Sequence, residues 1–340
     1  MSNGQCRLII HYSLLTTHYS LLMFIIEEEP FGSLTLYKML NQDTDEYVSI
    51  LPGYGAIIQQ LVLATASERL IEVIDGYDTS EQLLNAKPGA VKGNLLFPFP
   101  NRVNEGKYVF GGEKYQLPIN EITRGHALHG LLYQADFEVV AQGASATGAF
   151  LILEYESDGK AEGYPFKYLL DLDFRLNDEG FSCKVVVQNL EEKEIPVGFG
   201  YHPSFKLGGR IDEMLLKLPI HSQVALDSRM IPTGEELPSD KCLEFSRIEG
   251  DSFNHTFHVD EENALAVTQL YDPKQNVSLV VWQHTGPNQF NYLQVYTPAS
   301  RESIAIEPMT CAPDAFNNGK GLILLQPDET IEATFGVRVE

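Results

Sequence analysis

An all-β chain, folded as a large antiparallel β-sandwich, is what three features of this sequence predict. Short apolar-rich runs recur along it, separated by Gly, Pro, Asn and Asp turn signals. In the clearest of them Leu170, Leu172, Phe174 and Leu176 alternate with Asp171, Asp173 and Arg175, the period-two pattern of a half-buried strand. No segment carries a long apolar repeat of helical period. Many short strands with closely spaced turns imply stacked antiparallel sheets.

In chain order, Leu34–Met39, Tyr47–Leu51 and Ile57–Leu63 are compact strand-like runs, with Pro52-Gly53-Tyr54-Gly55 as a turn. Leu70–Ile74 ends at Asp75-Gly76. Tyr77 to Gly93 is polar and irregular, with a short helix expected around Glu81–Asn85. A Pro-punctuated turn then carries Asn101 and Arg102. Tyr108–Phe110 and Lys114–Leu117, parted by Gly111-Gly112-Glu113, read as a β-hairpin. A second turn-like segment carries His129-Gly130, so the hairpin has an Arg at one end and a His at the other, placed to share one face of a sheet. Phe150–Glu154, Tyr168–Leu176, Phe181–Gln188, Leu215–Leu218, Ala264–Tyr271, Val277–Trp282, Asn291–Tyr296, Ser303–Ile306 and Thr330–Val339 complete the strands. With no linker and no step in composition, residues 23–340 are expected to form a single domain.

The N-terminus has a different texture. HYSLL occurs at His11–Leu15 and again at His18–Leu22. A signal peptide is disfavoured, because no small-residue cleavage site is present and Glu27, Glu28 and Glu29 follow the apolar run at once. Translation is expected to start at Met23, with residues 1–22 disordered or adventitious.

The 340 residues include 24 basic and 47 acidic ones, a formal net charge of −23. Nucleic acid and anionic membrane surfaces need clustered cations and are excluded as partners on that balance. A neutral or cationic small ligand is favoured. The four cysteines, Cys6, Cys183, Cys242 and Cys311, have no metal-ligand spacing and suit reduced, buried thiols in the cytoplasm, though a pairing of two stays open. No apolar run approaches the ~20 residues that span a bilayer.

Three further positions could carry chemistry. His202, in VGFGYHPSF, precedes a Pro and is held extended, which projects its imidazole from a strand end. Glu307, in SIAIEPMT, is either solvent-facing on an edge or buried with a raised pKa and poised as a base. Gln294, in NYLQVYT, falls in a central strand, where a buried amide demands partners.

Taken in order, PNRVNEGKY, Tyr115-Gln116-Leu117 with Asn120, LHG, HPSF, LQVYT and IAIEP make a pattern far more specific than any one piece. From roughly Gly53 to the C-terminus this resembles the aldose 1-epimerase (galactose mutarotase) family. The resemblance implies the galactose mutarotase-like supersandwich, a sugar substrate and no cofactor or metal. It implies Glu307 as the base at the anomeric hydroxyl, His202 as the acid at the ring oxygen, and His129 as a second histidine near the ring oxygen and C1. Arg102 and Asn101 would orient the substrate, and Gln294 would bind it. One departure concerns hydroxyl preference: the family's sugar-binding Asp aligns with Asn254, with Asp251 nearby.

A free hexose is the first expectation for the substrate. A hexose 6-phosphate ranks second: Leu131, Leu132 and Tyr133 follow the HG pair where that branch has an Arg, while Arg124 keeps it open. A non-catalytic carbohydrate-binding protein of the same fold is a third reading, disfavoured because both His202 and Glu307 are present. His126 is not expected to pair with His129 on a metal, since no third ligand has a sensible spacing. Cys311 is read as a packing residue, and Trp282 as core or as an aromatic platform under a sugar.

Overall fold

The computed structural model describes residues 23–86, 92–259 and 264–340. The expectations for residues 1–22 fall outside them. Among the described residues three large sheets, of five, nine and eight strands, and three two-stranded pieces form the molecule. Each pair of neighbouring strands is antiparallel, as the turn spacing implied. The expected all-β fold is therefore present.

The nine-stranded sheet is built on the longest strands. Tyr168–Asn177 and Gly180–Asn189 pair in unbroken register, and Thr330–Val339 joins them to Val277–His284. Leu170, Leu172, Phe174, Cys183, Val185 and Val187 point into one core with Phe199, Tyr201 and Phe335. Each such side chain contributes about 1.5–3 kcal/mol on full burial, so alternation is what orients the sheet. The pattern breaks once: Asp173 is also buried, and the Arg175 guanidinium accounts for it with contacts of 2.8–3.1 Å to both carboxylate oxygens. Trp282 is not part of the core. It lies half-buried on the outer face of this sheet, over Gly336, where a Cβ would come within 2.3 Å of the indole.

The helix expected around Glu81–Asn85 spans Ser80–Leu84, with the Thr79 hydroxyl accepting from the Gln82 amide as its N-cap. Other strands begin where the residue pattern carries little strand signal. Phe24–Phe31 pairs with Leu34–Asn41 although it contains Glu27, Glu28 and Glu29, because it can leave their carboxylates outward. Glu138–Ala144, Ile220–Leu226 and Asn254–Val259 are likewise strands.

The eight-stranded sheet carries the candidate site. At its centre Asn254–Val259, Tyr292–Tyr296 and Ile304–Met309 lie side by side, with Gln294 opposite Thr256 on one side and Glu307 on the other. Among the described residues no helix is long and apolar enough to cross a membrane.

Candidate active site

A cleft of about 430 Å³ opens over this part of the sheet, and all seven residues singled out in the sequence line it: Asn101, Arg102, His129, His202, Asn254, Gln294 and Glu307. The chain delivers them by different means. Glu307 sits in a strand whose six residues are all buried, so the solvent-facing alternative for its carboxylate is excluded. It is 1% exposed. His202 is held between Gly200–Tyr201 and Ser204–Phe205: its amide donates to the Asn94 carbonyl and its carbonyl accepts from Gly93.

Arg102 and His129 do converge, but not across the expected hairpin. Lys107–Phe110 and Glu113–Gln116 form a separate two-stranded piece. The convergence comes from the short pairing of Arg102–Val103 with Ala127–Leu128. Asn120 fixes that pairing, its amide donating to the Leu128 carbonyl and accepting from the Leu128 amide, both at 2.8 Å. Asn101 and His129 both adopt left-handed backbone, with φ of 53° and 63°, and the His129 amide donates to the Asn101 carbonyl. The next residue, Gly130, has φ of 75°, and a Cβ there would stand 2.1 Å from the Phe97 carbonyl oxygen. Gly130→Ala should therefore cost about 2 kcal/mol or more through strain and collision, measurable as a lowered midpoint of thermal unfolding.

Gln294 finds the partners that a buried amide requires. Its Oε1 accepts from Asn101 at 3.2 Å and from the Thr256 hydroxyl, and its Nε2 donates to Asn254 Oδ1 at 3.0 Å. Asn101, Asn254 and Gln294 thus form one rigid amide wall. The nearby Asp251 does not reach the cleft. It pairs instead with Lys241 at the surface.

Arg102 lies against a residue that no sequence motif singles out. Its Nε and Nη2 donate to the two carboxylate oxygens of Glu121 at 2.8 and 2.9 Å, and Arg124 donates to the same carboxylate at 2.8 Å. Burial alone would raise the Glu121 carboxyl, but the Arg102 and Arg124 contacts bring it below its ordinary value. Removing the carboxylate leaves a nearly buried guanidinium uncompensated. Glu121→Ala should cost about 3 kcal/mol, read from the shift of a urea unfolding curve.

At the centre, His202 Nε2 stands 3.3 Å from Glu307 Oε1, and the His129 ring meets that of His202 edge-on at 5.2 Å between centroids. Glu307 Oε2 and His129 Nδ1 are buried and make no hydrogen bond to any of the described residues. Burial drives the Glu307 carboxyl well above its usual range, opposed by the charge of Arg102. It drives the His202 imidazole down to about 4. His129 also falls well below its ordinary value, through burial and then the charges of His202 and Arg102. The centre therefore favours its neutral forms, with one shareable proton between Glu307 and His202.

The remaining candidates lie outside this centre. His126 is buried, accepting from the Glu105 amide at Nδ1 and standing 3.2 Å from the Arg229 carbonyl at Nε2, so it is a packing histidine. Cys311 is fully buried against Gly198, as expected of a packing residue. Among the described residues Cys183, Cys242 and Cys311 are unpaired. Among the described residues no three His, Cys, Asp or Glu converge as a metal site.

The stacked antiparallel sheets are those of galactose mutarotase-like proteins. The fold matches that of a galactose mutarotase-like protein from Clostridium acetobutylicum with a TM-score of 0.81 at 19% identity, covering 93% of this chain and 98% of that one. It also matches galactose 1-epimerase from Lactobacillus acidophilus, with a TM-score of 0.74 at 17% identity over 94% and 99% of the two chains. The family profile described as aldose 1-epimerase matches residues 39–338, and the chain belongs to that family. Among relatives, the uncharacterized protein YihR of Escherichia coli K12 is 32% identical over 259 residues, 74% of this chain and 80% of its own length. Mouse galactose mutarotase is 25% identical over 220 residues, covering 63% of this chain and 61% of its own.

Proposed function

We propose that this protein is an aldose 1-epimerase that interconverts the α and β anomers of a free hexose by acid–base ring opening and closure. The observation that carries this reading is the buried Glu307 carboxyl, one oxygen unpaired and the other 3.3 Å from His202 Nε2, at the centre of a cleft walled by hydrogen-bonding side chains. In this reading Glu307 takes the proton from O1 while His202 delivers one to the ring oxygen, and the ring opens to the free aldehyde. Rotation about C1–C2 presents the other face of the carbonyl. Closure then reverses both transfers. His129 hydrogen-bonds near the ring oxygen, and Arg102, Asn101, Gln294 and Asn254 hold the hydroxyls.

The proton count balances without an outside donor. Opening converts a carboxylate and an imidazolium into a carboxyl and an imidazole, and closure restores them. Burial favours the carboxyl–imidazole form of the resting pair, while the Arg102 charge favours the carboxylate. The two forms differ by one proton moved between adjacent groups. Each positioned acid or base is worth about 10²–10⁴ in rate.

A free sugar is favoured over a sugar phosphate because each cation lining the cleft already faces a carboxylate: Lys92 with Asp75, and Arg102 and Arg124 with Glu121. The cytoplasm is the compartment that accords with three buried, unpaired thiols. We read residues 23–340 as one aldose 1-epimerase-like domain. Polarimetry of freshly dissolved α-glucose and α-galactose tests the proposal. Accelerated mutarotation supports it, and acceleration only with hexose 6-phosphates moves the protein to the phosphorylated substrate class.

A further inference from the structure

The cleft extends beyond the residues assigned to the acid–base step. Along the strand Ile304–Met309 and the residue before it, Ser303 and Glu307 share the cleft face, four residues or about 13 Å apart. Arg102 belongs to the Glu307 end, since its carbonyl accepts from the amide of Asp314, beyond the strand's C-terminus. At the opposite end Asp75 Oδ2 accepts from Lys92 Nζ at 2.9 Å and from the Ser303 hydroxyl at 2.7 Å. The backbone ties this cluster to the wall that holds His202: the Asp75 amide donates to the Ser204 carbonyl, and Gly93, next to Lys92, donates to the His202 carbonyl.

We propose that Asp75, held by Lys92 and Ser303, is the specificity pole that reads the exocyclic C6 hydroxymethyl group of a neutral aldohexose. The inference rests on the reading of His202 as the acid at the ring oxygen. C5 is bonded to that oxygen, so C6 leaves the ring on the His202 wall, toward Ser204 and Asp75. Among the described residues both hydrogen bonds of the Asp75 side chain fall on Oδ2, and Oδ1 is left to accept from a hydroxyl. Lys92 Nζ can donate to the same oxygen of the sugar. The pair is neutral as a unit, which suits an alcohol and not an anion. It also returns a carboxylate to a cleft whose position 254 holds an uncharged Asn.

Glucose and xylose differ only in that hydroxymethyl group, so the ratio of their dissociation constants isolates the pole. Isothermal titration of each sugar into wild type should show glucose binding at least tenfold more tightly than xylose. In Asp75→Asn and in Lys92→Met the ratio should fall to about twofold or less. General damage to the cleft weakens both sugars and leaves the ratio. An unchanged ratio in Asp75→Asn overturns the proposal, as does wild type that binds neither sugar. Tighter binding of glucuronate than of glucose overturns it too, by making Lys92 the reader of an anion. Mutarotation is scored separately on the same samples. A ratio that collapses in a protein without turnover contradicts the epimerase reading and leaves the subsite standing.

Discussion

Glu307→Gln is expected to bind sugar and to lose mutarotation, with kcat lowered at least 10³-fold and the dissociation constant changed by less than about threefold. Gln has the shape of the carboxyl and keeps a hydrogen bond to O1, but it cannot take a proton. The loss therefore falls on the chemical step. A fall in binding equal to the fall in rate would instead make Glu307 a binding residue. The same variant carries a second signature. Because burial raises the folded-state pKa of Glu307 above its unfolded value, folding favours the protonated carboxyl. Stability is lost as pH rises from about 4.5 toward the folded-state value. Glu307→Gln, with nothing to ionise, should exceed wild type in thermal midpoint at pH 8, and that advantage should shrink toward pH 5. A variant less stable than wild type at both pH values would contradict the buried, protonated resting state.

His202→Gln should lower kcat about 10²–10⁴-fold, the contribution of one positioned acid. Its pH behaviour separates that role from simple packing. With the imidazole held down to about 4, the wild-type pair takes up a second proton only in strongly acidic solution. Glu307 can then no longer act as a base, so the acid limb of the wild-type profile should lie near pH 4–5. The stability consequence has a definite sign. The unfolded imidazole, near 6.5, binds its proton before the folded one does, so His202 costs stability as pH falls from 6.5 to about 4. The full loss is about 3 kcal/mol. Urea unfolding of His202→Gln should show a correspondingly flatter dependence over that range. Parallel slopes for the two proteins would place the protonation elsewhere.

The sequence was informative where chemistry departs from a local pattern. Glu307 interrupts an apolar strand, Gln294 does the same one strand away, and His202 stands before a Pro at a strand end. Each anomaly is visible within ten residues, and each residue lines the cleft. Contacts made across the fold left no such trace. Glu121 looks like any surface acid until Arg102 closes on it from 19 positions away. Asp75 reads as half of an Asp-Gly turn, yet it meets Ser303 from 228 positions away. Arg102 and His129 converge as their places in the sequence suggest, but through a different pairing. The hairpin was the stronger local signal, whereas the effective pairing involves only two residues on each side, clamped by Asn120. Strands such as Asn254–Val259 were hidden because their polar residues face the cleft or neighbouring side chains, which blurs the apolar alternation. Trp282 illustrates the complementary ambiguity: a large aromatic on a strand can cover a glycine on the outer face as well as fill a core.

One cleft is expected to exchange the anomers of a free sugar. Two-dimensional exchange NMR on glucose and galactose at anomeric equilibrium tests it most directly, since the α and β anomeric protons exchange magnetisation only if the ring opens and closes. Cross-peaks between them should grow with the concentration of wild-type protein and be absent with Glu307→Gln. Exchange no faster than in buffer for both sugars would contradict it.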